Sequence, residues 1–129
     1  MISAERVVEL HAQGIVAAGQ QLSSDSRQGC IGEVIDYALM AACYIHEQEE
    51  PDPIQVAAYL LRGFIDHNCF IDGNKRVAWL AALEVLDVGA GLTLDAPEED
   101  AAEMVLAVAQ SDLEIEGIAV WMADHLVAA

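Results

Sequence analysis

Apolar residues recur at helical spacing along nearly the whole chain. The clearest run is Ile31, Val34, Ile35, Ala38, Leu39, Ala42 and Ile45, placed at i, i+3, i+4, i+7, i+8, i+11 and i+14. That spacing predicts a helix with one buried stripe, ending in the polar run His46 to Glu50 because Pro51 and Pro53 do not continue it. Asp52, Pro53 and Gln55 then read as N-cap, first residue and N3 acceptor of a following helix, which carries Ile54, Ala57, Leu61 and Ile65 on one face to about Asp66. Ser3 opens a first helix to about Ala18, with Val8, Ala12 and Ile15 as its stripe and Gly19 closing it. Gln20 to Gly29 reads as a polar loop.

From Asn74 to Val88 the chain is apolar on almost every side, at Val77, Trp79, Leu80, Leu83, Val85 and Leu86, which marks a central helix surrounded by others. Gly89, Gly91 and Thr93 punctuate before a fifth helix that starts at Pro97-Glu98-Glu99-Asp100, acids at the positive end of its dipole, and ends near Gln110. A last helix carries Ile118, Trp121, Met122 and Leu126. Strand candidates are confined to Gly91 to Asp95 and Leu113 to Ile115. The predicted class is all-α, a single compact bundle of about six helices forming one domain over residues 1–129.

Composition supports a packed core, with 55% hydrophobic and 21% charged residues. Charge narrows the partners: 5 basic against 22 acidic residues leave −17 at neutral pH, a field that repels nucleic-acid backbones and anionic membrane surfaces. Direct nucleic-acid binding is therefore not expected. Nor is membrane insertion, because no stretch reaches the ~18 uncharged apolar residues of a span. The opening Met-Ile-Ser-Ala-Glu-Arg lacks the regions of a signal peptide, and Cys30, Cys43 and Cys69 are odd in number with no Cys-x-x-Cys pair. These features predict a cytoplasmic protein with three reduced cysteines.

Two of the five basic residues stand side by side at Lys75 and Arg76, directly after Asp72-Gly73-Asn74 and at the start of the apolar helix. A glycine before a helix N-terminus lets a ligand approach the backbone, and the free N–H groups and helix dipole favour an anion there. Lys75 and Arg76 add full charge at the same point. Asp72 supplies a hard oxygen ligand of the kind Mg²⁺ uses beside substrate phosphates. The residues alone thus read either as a phosphate site with a metal ligand, or as a capped helix start whose cations pair with the surplus of acids.

The longer string Phe64-Ile65-Asp66-His67-Asn68-Cys69-Phe70-Ile71-Asp72-Gly73-Asn74-Lys75-Arg76-Val77-Ala78 resembles the signature of the Fic/Doc family. That signature runs His, any residue, Phe, any residue, Asp or Asn, Gly or Ala, Asn, Lys or Gly, Arg. Lys75, and Val77-Ala78-Trp79 with no second Arg, look like the death-on-curing branch of toxin-antitoxin systems. Ile2-Ser3, Val7, Leu10 and His11 are similar to the opening of such toxins. The resemblance implies a small helical bundle, with ATP and Mg²⁺ used to phosphorylate a hydroxyl of a protein target, translation elongation factor Tu. It also implies a cognate antitoxin whose disordered C-terminal segment folds on binding. Carried over, it makes Phe70 a core anchor, Asp72 the metal ligand, Gly73 and Asn74 the anion-binding turn, and Lys75 and Arg76 the phosphate holders.

One position departs from the pattern. The family's histidine, the general base, lies two places before the Phe, where this chain has Asn68, and His67 stands one place earlier. An asparagine is not a base. Three readings stand: His67 reaches the site and replaces the base, His67 is unemployed, or Asn68 disarms the enzyme. Alternatives to phosphoryl transfer are an adenylyl or other nucleotidyl transferase, and a catalytically silent module that binds phosphate and antitoxin. His11, His46 and His125 sit at no ligand spacing and read as structural or surface residues, His11 near the motif loop. Trp79, Trp121 and the four Met residues read as packing, Glu47, Glu49, Glu50 and Asp52 as a solvated helix end, and Cys69 as an inert apolar side chain.

Overall fold

The computed structural model describes residues 2–17 and 28–129, and within them six helices and one two-stranded ribbon. Helix α1 (Ala4–Ala17) starts where Ser3 Oγ accepts the Arg6 N–H at 3.1 Å. Helix α2 (Gln28–Tyr44) is followed by α3 (Pro53–His67), whose N-cap Asp52 accepts the Ile54 N–H at 3.1 Å, with Pro53 in the first turn. Helix α4 (Asn74–Ala90) lies between two left-handed glycines, Gly73 and Gly91. Strand β1 (Leu92–Leu94), α5 (Glu98–Ala109), α6 (Ile115–Asp124) and β2 (Leu126–Ala128) complete the order. The strands pair antiparallel with Thr93 opposite Val127, so the last residues are tied to the exit of α4.

Helix α3 packs against α2, α4, α5 and α6, while α1 lies along α4 and also touches α2. Phe64, Leu60 and Leu61 of α3 are fully buried together with Ile31, Leu86, Ile118 and Met122. Alanines 57, 58, 78, 81 and 82, all buried, let α3 and α4 approach closely. Gly63 does the same for α2, since a Cβ there would lie 2.7 Å from Val34 Cγ1. Arg6 of α1 grips Glu84 of α4 through both carboxylate oxygens, at 2.7–2.9 Å, and Glu84 with Glu9 holds its guanidinium well above the ordinary arginine range. Among the described residues no helix is long and apolar enough to cross a membrane.

Several expectations are corrected. The inward stripe of α1 is Val7, Leu10, His11 and Gly14, not Val8 and Ala12, which are half-buried; a histidine and a glycine on the inner face obscured the period. Ile15 belongs to the side chains outside the description, as do Gly19 and most of the segment expected as a loop, although α2 already begins at Gln28. Ile45 lies past the end of α2 and is exposed. Gln55 does not complete a capping box, because its Oε1 is buried with no partner among the described residues. Leu126 and its neighbours form β2, and Ile115 starts α6, because β1 needs an antiparallel partner and the chain end is the segment beside it. Met40 is exposed rather than core, whereas Met104 and Met122 are buried.

The largest correction concerns the cysteines. Cys30 at the start of α2 and Cys69 just after α3 form a disulfide, with Cα atoms 5.6 Å apart, and only Cys43 is free. Spacing along the chain did not reveal the pair because the α2–α3 packing, not sequence proximity, brings the two together. The bond closes a loop of 39 residues, for which chain entropy gives a stabilisation of about 4 kcal/mol. Titration of the denatured, unreduced protein is expected to find one thiol, and dithiothreitol to lower the urea midpoint; three thiols and an unchanged midpoint would contradict the pairing.

Candidate functional site

The segment between α3 and α4 is shaped by a few local choices. Helix α3 stops at Asn68, whose φ of 49° is left-handed, a conformation asparagine tolerates better than most residues. Cys69 and Phe70 then turn into the core, while Ile71 and Asp72 face solvent. Gly73, at φ 77°, supplies the second left-handed residue and lets the chain enter α4. Asn74 closes the loop from within: its Oδ1 accepts the Phe70 N–H at 3.0 Å, and its Nδ2 donates to the Phe70 carbonyl at 2.8 Å.

Helix α1 holds the loop from the other side. The His11 ring stacks on Phe70 with centroids 3.8 Å apart and planes 13° from parallel, and His11 Nε2 donates to the Asp72 carbonyl at 2.7 Å. That bond requires the proton on Nε2. His11 is 5% exposed, a buried polar group whose partner is the backbone of the loop itself.

The resulting surface suits an anion. No side chain caps the N-terminus of α4, and the first backbone bond inside it runs from Val77 N–H to the Gly73 carbonyl. The N–H groups of the first turn are thus left for a ligand. Asp72 Oδ1 accepts the Gly73 N–H at 2.7 Å, which orients the carboxylate at the loop's edge. Among the described residues Arg6 and Arg62 are ion-paired, Arg62 with Asp66 at 3.4 Å, whereas neither Lys75 nor Arg76 has a carboxylate within ion-pair distance. Both stand at a cleft of about 940 Å³, a size suited to a small organic ligand. Its far wall is the small and apolar face of α5, including Ala102, Val105 and Leu106, and α4 contributes Trp79 and Leu80.

The structure brings Asn68, Asp72, Gly73, Asn74, Lys75 and Arg76 together on this cleft. His67, the last residue of α3, is exposed and is not part of the cleft wall. Asn74 has its side chain committed to Phe70, so it shapes the turn rather than presenting an amide to a ligand. The residue that sequence reasoning undervalued is His11, the histidine that does line the cleft. Its signal was its place four residues after Val7 and one after Leu10 in the true inward stripe, a polar side chain on a core face. His46, bonded to Tyr59 at 3.0 Å, and His125, stacked on Trp121, are structural as expected. No group of three or more metal-ligating side chains occurs among the described residues, so Asp72 fits only a cation that shares its shell with a ligand's oxygens.

Residues 1–86 match the model of the Fic/DOC family. The chain is also similar to Toxin Doc of Mycolicibacterium smegmatis (strain ATCC 700084 / mc(2)155), 31% identical over 105 residues, covering 75% of this chain and 81% of that protein.

The clamp on Phe70 gives a direct test. Replacing Asn74→Ala strands the buried Phe70 N–H and carbonyl and is expected to lower stability by about 2 kcal/mol in urea melts. A loss below about 0.5 kcal/mol, the range of an ordinary surface change, would mean that the loop does not depend on this side chain.

Proposed function

The chain belongs to the Fic/DOC family, and from that premise we propose that it is a death-on-curing type toxin of a toxin-antitoxin pair, built to move the γ-phosphate of ATP onto a hydroxyl of a protein target, translation elongation factor Tu. The observation that carries this reading is the uncapped start of α4, with Asp72 at its edge and Lys75 and Arg76 beside it, unpaired among the described residues. Phosphoryl transfer asks a protein mainly to position the phosphates and neutralise their charge, and this group of residues does both. The α4 N–H groups, Lys75 and Arg76 hold the phosphate chain, and Asp72 would hold Mg²⁺ jointly with it. The ion, when bound, neutralises charge building on the phosphate oxygens.

In the reaction a bond forms between the target oxygen and the γ-phosphorus, the bond to ADP breaks, and the hydroxyl proton must leave. Asn68 faces the cleft at the base position, and its amide does not take that proton at neutral pH. The chain as it stands therefore binds nucleotide and transfers poorly. Because Asn68 is on the cleft wall and His67 is not, a second reading is favoured alongside: a silent module that keeps phosphate and antitoxin binding. The antitoxin would be a disordered segment that folds on binding, and the surplus of acid on this chain suits a basic one. Elongation factor Tu places the site of action in the cytoplasm. Thiols are kept reduced there, so Cys30 and Cys69 would be open and the loop would rest on Asn74 and His11.

Purified elongation factor Tu, Mg²⁺ and ATP labelled at either the γ- or the α-phosphate, presented to this chain and to Asn68→His, separate the readings. Asn68→His is expected to transfer γ-label about 100-fold or more faster than the unaltered chain. Label arriving from the α-phosphate would make the protein a nucleotidyl transferase. No transfer by either chain, with ATP still bound, would leave the binding module.

A further inference from the structure

Helix α1 meets the site at two points on one face, His11 and, three residues on, Gly14. His11 registers α1 on the loop through its stack with Phe70 and its bond to the Asp72 carbonyl. At Gly14 the helix lacks a side chain where Arg76 crosses it. A Cβ there would lie 2.8 Å from Arg76 Cδ, 3.0 Å from Cγ and 3.4 Å from Leu80 Cδ1. The first of these distances is closer than packed carbon atoms tolerate, and it falls on the middle of the arginine stem, not on its free end. The stem therefore lies in a slot formed by α1 and Leu80, while the residue as a whole remains exposed and borders the cleft.

An exposed arginine ordinarily spreads over many rotamers and loses that freedom when it grips a ligand. A slot around Cγ and Cδ sets the first torsions before the ligand arrives, leaving the guanidinium less to lose. We propose that Gly14 is a positioning residue for Arg76: the gap in α1 holds the arginine stem so that its guanidinium faces the phosphate site. The proposal rests on the reading of the α4 N-terminus as that site. It also accounts for a glycine in the last turn of α1, within a helix where alanine is the better former.

The test is a double-mutant cycle on the full chain with Mg²⁺-ATP as probe, read by calorimetry. Gly14→Ala is expected to weaken binding roughly tenfold, as Arg76→Ala does, with helical circular dichroism retained. In the Arg76→Ala background Gly14→Ala is expected to add nothing, which a general structural disturbance of α1 would not reproduce. Binding by Gly14→Ala within about twofold of the unaltered chain, or two losses that multiply in the double variant, would overturn the proposal. Should the unaltered chain not bind Mg²⁺-ATP, the phosphate reading fails separately, and the Arg76 Nε–H resonance of the ligand-free protein decides about Gly14. A shift on Gly14→Ala supports the slot, and an unmoved resonance rules it out.

Discussion

The site depends on the burial of one aromatic ring. Phe70 sits between two helices that are far apart in sequence, with its backbone held by Asn74 of α4 and its ring covered by His11 of α1. A loop of six residues between two packed helices has few internal contacts to define it, and hydrophobic burial alone has no direction. Direction comes from the hydrogen bonds. Once Phe70 is in the core and Asn74 has paired with both its backbone groups, Asp72 and Gly73 have little freedom left. The carbonyl of Asp72 is then met by His11 and its carboxylate by the Gly73 N–H. Asp72, the start of α4 and the two cations after it are all oriented through this one anchored residue.

A net charge of −17 and a cleft whose geometry suits an anion act on different length scales. Exposed charges more than about 10 Å away are screened by physiological salt, so the net charge governs distant encounters and has little influence on a ligand already in the cleft. Within that cleft the positive fields are the first turn of α4, Lys75 and Arg76, and the carboxylates on its wall are Asp72 and Glu98. Several acids also have partners of their own. Glu84 is held by Arg6, Asp66 by Arg62, and Glu98, Glu99 and Asp100 complement the dipole of α5. Among the described residues Arg6 and Arg62 are so engaged, whereas Lys75 and Arg76 have no carboxylate at ion-pair distance.

Binding and turnover are separable in such a site because different atoms serve them. Everything that would hold a phosphate comes from the backbone of α4 and from side chains after Gly73. The proton acceptor would come from the other end of the loop, at Asn68, where α3 terminates. There the chain reverses through a left-handed residue, so neighbouring side chains diverge. This is why exchanging the order of histidine and asparagine is not a conservative change. His67 remains on the helix and Asn68 alone borders the cleft.

Period, capping residues and the Gly-Asn-Lys-Arg string were enough to place most of the helices, the starts at Ser3 and Asp52, and the glycine turns around α4. These are local properties: a cap, a dipole and an apolar face depend on residues within a turn or two of each other. What only the tertiary structure decided are contacts between residues 39 to 78 positions apart: Cys30 with Cys69, His11 with Asp72, Arg6 with Glu84. The inner face of α1 was misjudged for the same reason. A histidine counts as polar in any periodicity, and its burial is worthwhile only because Phe70 and the Asp72 carbonyl wait opposite, a partnership that no stretch of α1 can announce.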